Sequence, residues 1–222
     1  MKKLLLFLLP ILCLPFLFTG CKSENALIPH VSELRRDLFQ GESEHFSIKA
    51  GYGFKEQPFV NDGKVGSTLS LLTFRLLDKE TDSVSYSIAF VFNQAEYHGV
   101  FKLNPITHSI TCAIEIDNFN LKEFTVKISF GTESEEVLIK SIVPENTISY
   151  LTALDVLEKE QRSLISHYTN SNGEFLAEIY LRVLVKDGAP YWYVGFASGL
   201  DKLKALLIDG ISGEILAIRE IF

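Results

Sequence analysis

The sequence predicts a mostly β protein with an α+β end. An antiparallel β-sandwich over residues 45–143 is followed by a helix and an antiparallel sheet over residues 150–222. Three observations carry this. From Phe46 onward apolar residues recur at every second position, the period of a half-buried strand. Turn signals separate seven such stretches, the spacing of a sandwich. After Tyr150 the period becomes helical for one segment and then returns to two.

Taken in order, Val31, Leu34 and Leu38 fall at helical spacing, so His30 to Phe39 reads as a short helix that Gly41 ends. Together with a tether from residue 21 it fills residues 21–44. Phe46, Ile48 and Ala50 open the strands. Gly51 to Gly66, with Pro58 and Asn61-Asp62-Gly63, reads as a turn-rich loop. Ser67 to Leu77 is strand-like, and Val84, Tyr86, Ile88, Phe90 and Phe92 form the cleanest alternation in the chain. Tyr97–Leu103, Ile110–Ile116, Phe124–Phe130 and Val137–Val143 follow. Each strand would bury one face and leave Ser, Thr, Lys and Glu outside.

Pro144 to Tyr150 reads as a connection. Thr152, with Asp155 three residues on, opens a helix whose Leu154, Leu157, Leu164, Ile165 and Tyr168 share a face. Glu174 to Lys186 is then a long strand, and Asp187-Gly188 a hairpin turn. Tyr191–Ser198 and Leu203–Asp209 continue the meander, which Gly210–Gly213 turns into Glu214–Phe222.

The chain begins with Lys2 and Lys3, an apolar run of 15 residues from Leu4 to Phe18, and small residues before Cys21. A secretory signal needs these three regions in this order. The run is shorter than the roughly 20 residues a spanning helix needs, and Pro10 and Pro15 weaken it further as a helix. Leu17-Phe18-Thr19-Gly20-Cys21 resembles the lipobox of a bacterial lipoprotein signal peptide. The resemblance implies cleavage between Gly20 and Cys21, loss of residues 1–20, and a diacylglycerol on the Cys21 thiol. It places the protein in the bacterial cell envelope, held on the extracytoplasmic side of a membrane by lipid, with two acyl chains sufficient for stable anchoring.

The net charge of −7 becomes −9 once Lys2 and Lys3 are removed. An acidic chain has no electrostatic attraction to nucleic acid, which is therefore not expected as a partner. Of the three cysteines, Cys13 lies in the removed segment and Cys21 in the lipobox, so Cys112 has nothing to pair with. It alternates with Ile110 and Ile114 and reads as a core residue.

The C-terminal third carries a second resemblance. Trp192-Tyr193-Val194-Gly195-Phe196, then Leu206-Leu207-Ile208-Asp209-Gly210-Ile211-Ser212-Gly213-Glu214-Ile215-Leu216, follow a helix. This looks like a PepSY domain, a small α+β module of exported bacterial proteins. The resemblance implies a role in restraining a peptidase or influencing its surroundings.

No catalytic constellation is visible. The chain has no G-x-S-x-G elbow, and Ser198-Gly199 reads as a turn. Gly51-Tyr52-Gly53 lacks the rest of a nucleotide loop. His30, His45, His98, His108 and His167 show no metal-ligand spacing. The acids Asp78, Glu80 and Asp82, and Glu133, Glu135 and Glu136, fall where hairpin loops are expected and lack a calcium-loop pattern. No metal or cofactor is expected. The one candidate binding surface is Tyr191 and Tyr193, which alternate with a core face of Trp192, Val194 and Phe196. The expected function is binding or interaction at the envelope, with an envelope protein or peptidase as partner. The alternatives are a hydrolase with a site between the domains, and an assembly lipoprotein that pairs through strand edges.

Overall fold

The computed structural model describes residues 25–60, 62–78, 85–104, 109–198 and 201–221. The lipobox, with Gly20 and Cys21, lies outside them, as do Glu80, Asp82, Val84, His108 and Gly199. The first strands are β1 (Val31–Glu42), β2 (Phe46–Glu56), β3 (Thr68–Asp78), β4 (Tyr86–Phe92) and β5 (Ala95–Val100). Four more follow: β6 (Lys102–Asn104), β7 (Ser109–Glu115), β8 (Glu123–Phe130) and β9 (Glu133–Ser141). Two helices come next, α1 (Tyr150–Glu160) and α2 (Arg162–His167). The chain ends in β10 (Glu178–Lys186), β11 (Ala189–Ser198), β12 (Asp201–Asp209) and β13 (Ile215–Ile221). The fold is mostly antiparallel β, and its strands form one large, nearly closed sheet.

The segment expected as a helix near His30–Phe39 is β1, a strand preceded by a single 3-10 turn at Ile28–His30. Two irregularities, at Val31/Glu33 and Arg35/Asp37, explain the misleading spacing. Each inserts a residue that breaks strict alternation. Val31 and Leu34 can then bury on one side at a spacing of three, which in sequence imitates a helix. Strand pairing on both edges overrides that local pattern.

β1 is where the sheet divides. Along one edge it pairs with β2 for most of its length. Along the other, Val31 to Arg35 run parallel to β10, and Phe39 and Gln40 then pair antiparallel with β9. The strand therefore supplies both hydrophobic cores: Phe39 to the first, Val31 and Leu34 to the second.

The first core is rich in phenylalanine. Phe119 meets Phe124 edge-on at 5.0 Å, and Phe39 meets Phe124 at 5.5 Å. Each buried ring contributes about 1.5–3 kcal/mol from area alone. The sheet wraps this cluster until β5 comes back against β7, where Gly99 packs directly on the Sγ of Cys112.

In the second core α1 and α2 supply Ala153, Leu154, Leu157 and Leu164, and Tyr168 follows at the C-cap of α2, all packed with inward residues of β10–β12. The helix is capped three residues before Thr152 and begins at Tyr150, because Ser149 is its N-cap and accepts the Thr152 N–H at 3.1 Å. Asp155 instead accepts from Asn25 Nδ2 at 2.9 Å, tying the first described residue to the helix. The expected single helix is broken at Gln161, which leaves helical geometry at φ −116°. The β10–β11 turn places Asp187 and Gly188 at positive φ (52° and 80°), as a tight hairpin requires. At the β12–β13 turn the Asp209 carboxylate accepts the N–H groups of Ile211 and Ser212. β10 begins at Glu178, because Phe175 pairs with Thr169 in an isolated bridge. It is interior, between β1 and β11, whereas β13 is an edge.

Candidate functional site: an aromatic and arginine face

Alternation along β11 divides its side chains. Trp192, Val194 and Phe196 are buried in the second core, under the helices. Tyr191 and Tyr193 fall on the opposite face and are half-buried. Register adds neighbours from β10: Tyr180 lies across from Gly195, Arg182 across from Tyr193, and Leu184 across from Tyr191. Gly195 leaves room for two rings. A methyl group there would lie 3.4 Å from Tyr193 Cε1 and 3.5 Å from Tyr180 Cδ2. Phe59, 52% exposed, approaches Tyr180 from the loop after β2, at 6.0 Å between ring centres.

Arg182 on this face is fixed by its pairing with Glu33. Arg182 Nε donates to Glu33 Oε1 at 2.7 Å and Nη2 to Oε2 at 2.6 Å. The Glu33 hydrogen bond is the main reason the Arg182 guanidinium is held above its ordinary range. The Tyr180 phenol is pushed up to about 12, first by burial and next by the nearby Glu178.

Beneath the 57–66 loop lies an acidic pair. Glu178 is 0% exposed and Glu56 is 6% exposed. Glu56 Oε1 accepts the Gly66 N–H, but its Oε2 has no partner. Among the described residues, neither oxygen of Glu178 has a well-aligned partner, and nor does the Ser32 hydroxyl. Burial raises the Glu178 carboxyl above its ordinary value, and the charge of Glu56 adds to this. Ser32 and the N–H groups of Gly63 and Asp62 approach Glu178 and pull the other way, without forming well-aligned hydrogen bonds.

Half-buried aromatic rings and an anchored guanidinium suit binding of a surface. Among the described residues no group of three His, Cys, Asp or Glu is placed to hold a metal. Sequence pattern singled out Tyr191 and Tyr193 but not Tyr180, Arg182 or Phe59. The alternation of β10 put Tyr180 and Arg182 opposite its apolar face, and that was their only signal.

The other residues noted in the sequence are dispersed. Cys112 is buried in the first core, and burial raises its thiol. His30 packs edge-on against Phe175 at 4.9 Å, and burial lowers its imidazole. His45 Nδ1 lies 3.3 Å from Glu135 Oε2, which closes the β1–β2 turn onto the start of β9. His98 is exposed beside Glu96, and His167 is exposed at the end of α2. Glu133 and Glu136 are exposed on β9. Gly51-Tyr52-Gly53 is part of β2, and Ser198 is buried at the end of β11. No protein-family model, curated protein or solved structure matches the chain.

Proposed function

We propose that this chain is a lipid-anchored binding protein of the bacterial cell envelope that engages an envelope protein, a peptidase being the class implied by its C-terminal third. The lipobox ending in Cys21 supports the address. The observation that carries the binding role is the face of Tyr180, Tyr191 and Tyr193 around Arg182, with its rings half-buried on a rigid sheet. Rings on a strand lose little conformational freedom on contact, so they suit recognition better than long flexible side chains.

The finer architecture belongs to the same proposal. Residues 45–143 are a sandwich whose layers are β2–β3–β7 and β4–β8–β9 on either side of the phenylalanine core. Residues 150–222 are a PepSY-like module. Its support is the order helix then four-strand meander, with the Asp209–Gly213 turn where that family places one.

A photocrosslinker at Tyr191 or Tyr193 in intact cells tests the proposal. One defined envelope protein is expected to be captured, and much less of it when Arg182 is also replaced by Ala. Equal labelling from Tyr191 and from exposed Glu158 on α1 would sink it. Cys21→Ser is expected to release the protein from the membrane, and a variant that stayed acyl-labelled and membrane-bound would remove the anchoring part.

The edge of β13 favours a second function, assembly by strand addition. Among the described residues this strand pairs only with β12, and it exposes Leu216 (45%) and Ile218 (52%). Capture from Ile218 rather than Tyr193 would select it.

A further inference from the structure

The same side of the sheet holds a second feature, near the point where β9 and β10 part along β1. A cleft of about 530 Å³ opens there. Among the described residues, three cations line it, Arg35, Lys49 and Arg75, together with Gln40, Thr73 and Thr111, and no acidic residue does. This is unexpected in a chain whose net charge is −7.

The register makes the arrangement costly. Lys49 on β2 sits directly across from Arg75 on β3, and Arg35 on β1 directly across from Arg182 on β10. Like charges placed opposite one another destabilise a sheet. Glu33 is already held by Arg182 at both oxygens, so it only partly offsets the charge of Arg35. Neither Lys49 nor Arg75 has an acidic partner among the described residues. The Arg35 Nε is buried with no hydrogen-bond partner among the described residues. Its side chain lies across Gly51, where a methyl group would come within 3.0 Å of Arg35 Cδ.

Register also aligns the polar groups. Gln40, Lys49, Arg75 and Thr111 form one row across β1, β2, β3 and β7. Leu38, Ile142 and Leu184 supply an apolar wall beside it. The Thr73 hydroxyl donates to the Gly51 carbonyl oxygen at 3.0 Å. That leaves two guanidinium groups, an ammonium and the Thr111 hydroxyl to match the oxygens of a phosphate group, while the wall matches an apolar attachment.

We propose that this cleft binds a phosphate-bearing anion with an apolar portion, and that the ligand's charge offsets the Lys49–Arg75 and Arg35–Arg182 repulsions. The site adjoins the tyrosine face, with Leu184 common to both. Lys49 and Arg75 lie on β2 and β3 away from the rings, so it does not depend on the protein-partner proposal. Its source is either a free phosphorylated molecule or an anionic lipid headgroup, which share this chemistry.

The test uses the full chain with inorganic phosphate, followed by thermal unfolding and calorimetry at constant ionic strength. Phosphate is expected to raise Tm and to bind with measurable heat. Lys49→Gln and Arg75→Gln, both on the exposed side of their strands, are each expected to weaken binding by about tenfold. Without phosphate at low salt, Arg75→Gln is expected to unfold at a higher temperature than the wild type, since it removes one repulsion. A role in stability alone would give the reverse. A soluble Cys21→Ser form is then mixed with phosphatidylcholine vesicles with or without phosphatidylglycerol. Association with the anionic vesicles, competed by phosphate, identifies the headgroup source; phosphate binding without vesicle association identifies the free source. Three results would overturn the proposal: no response to either probe, a response to chloride as large as that to phosphate, or unchanged binding in both variants.

Discussion

The indole Nε1–H of Trp192 donates to the carbonyl oxygen of Ile148 at 2.9 Å. One bond thus joins the centre of the C-terminal meander to the connection that leads into α1. Trp192 is the only tryptophan in the chain and is 2% exposed, so its fluorescence reports the second core alone. Trp192→Phe is expected to cost about 1–2 kcal/mol, from the lost hydrogen bond and the smaller ring. Urea unfolding followed by circular dichroism measures this, and a cost near zero would mean the bond is not formed in solution.

Because β1 contributes to both cores, wild-type fluorescence and circular dichroism are expected to give the same urea midpoint. Two separated transitions would show that the cores unfold independently despite the shared strand.

Gly53 and Gly195 predict opposite outcomes for the same substitution. A Cβ at Gly53 would fall 1.7 Å from the Leu34 carbonyl oxygen, which is backbone and cannot swing aside. Gly53→Ala is expected to cost about 3 kcal/mol or more, measured by chemical denaturation. At Gly195 the nearest atoms are 3.4–3.5 Å away, which is ordinary contact. Gly195→Ala is expected to leave stability within about 1 kcal/mol, and it tests whether the Tyr180 and Tyr193 rings keep their places.

Glu178 gives the pH dependence. Burial, its largest cause, raises its carboxyl above the ordinary 4.5, so the folded chain holds this proton more tightly than the unfolded one. Its favourable contribution is complete below pH 4.5 and is lost as the pH rises through the raised folded value. Glu178→Gln is therefore expected to be more stable than wild type at neutral pH, with the difference shrinking below pH 4.5. Denaturation of both proteins across that range checks the sign. A variant less stable than wild type at neutral pH would mean the carboxylate is charged and well partnered.

Arg182→Lys keeps the charge but loses the fork that meets Glu33. The pair is partly exposed, at 39% and 25%, so the expected cost is only about 1 kcal/mol. Because the pair spans the parallel β1–β10 junction, hydrogen exchange is expected to rise first at Val31–Arg35 and Ile179–Arg182.

The meander was legible because its signals are local. Asp187-Gly188 marks its turn, and Trp192, Val194 and Phe196 alternate without interruption into one core. β1 was not legible, since two bulges hid its alternation and its partner β10 lies far along the chain. Tyr191 and Tyr193 could be singled out by counting twos. Glu178 could not, because an overlying loop buries it, and nothing in its own strand encodes that loop. The Lys49–Arg75 row was likewise hidden, since each residue alone resembles an ordinary solvated charge until register sets them side by side.

The division of β1 between neighbours also fixes how the molecule carries load. A pull at Asn25 against the body of the sheet first loads its bond to Asp155 on α1 and the seat of Leu27 in the second core, and then runs along β1. Its hydrogen bonds to β2, β10 and β9 then resist in shear and must yield together, whereas a strand peeled from one end gives way bond by bond. By this geometry the first strand of the fold is expected to act as a mechanical clamp, with tension entering at Asn25 shared along β1, which also holds Glu33 against Arg182 and Arg35 in the basic cleft.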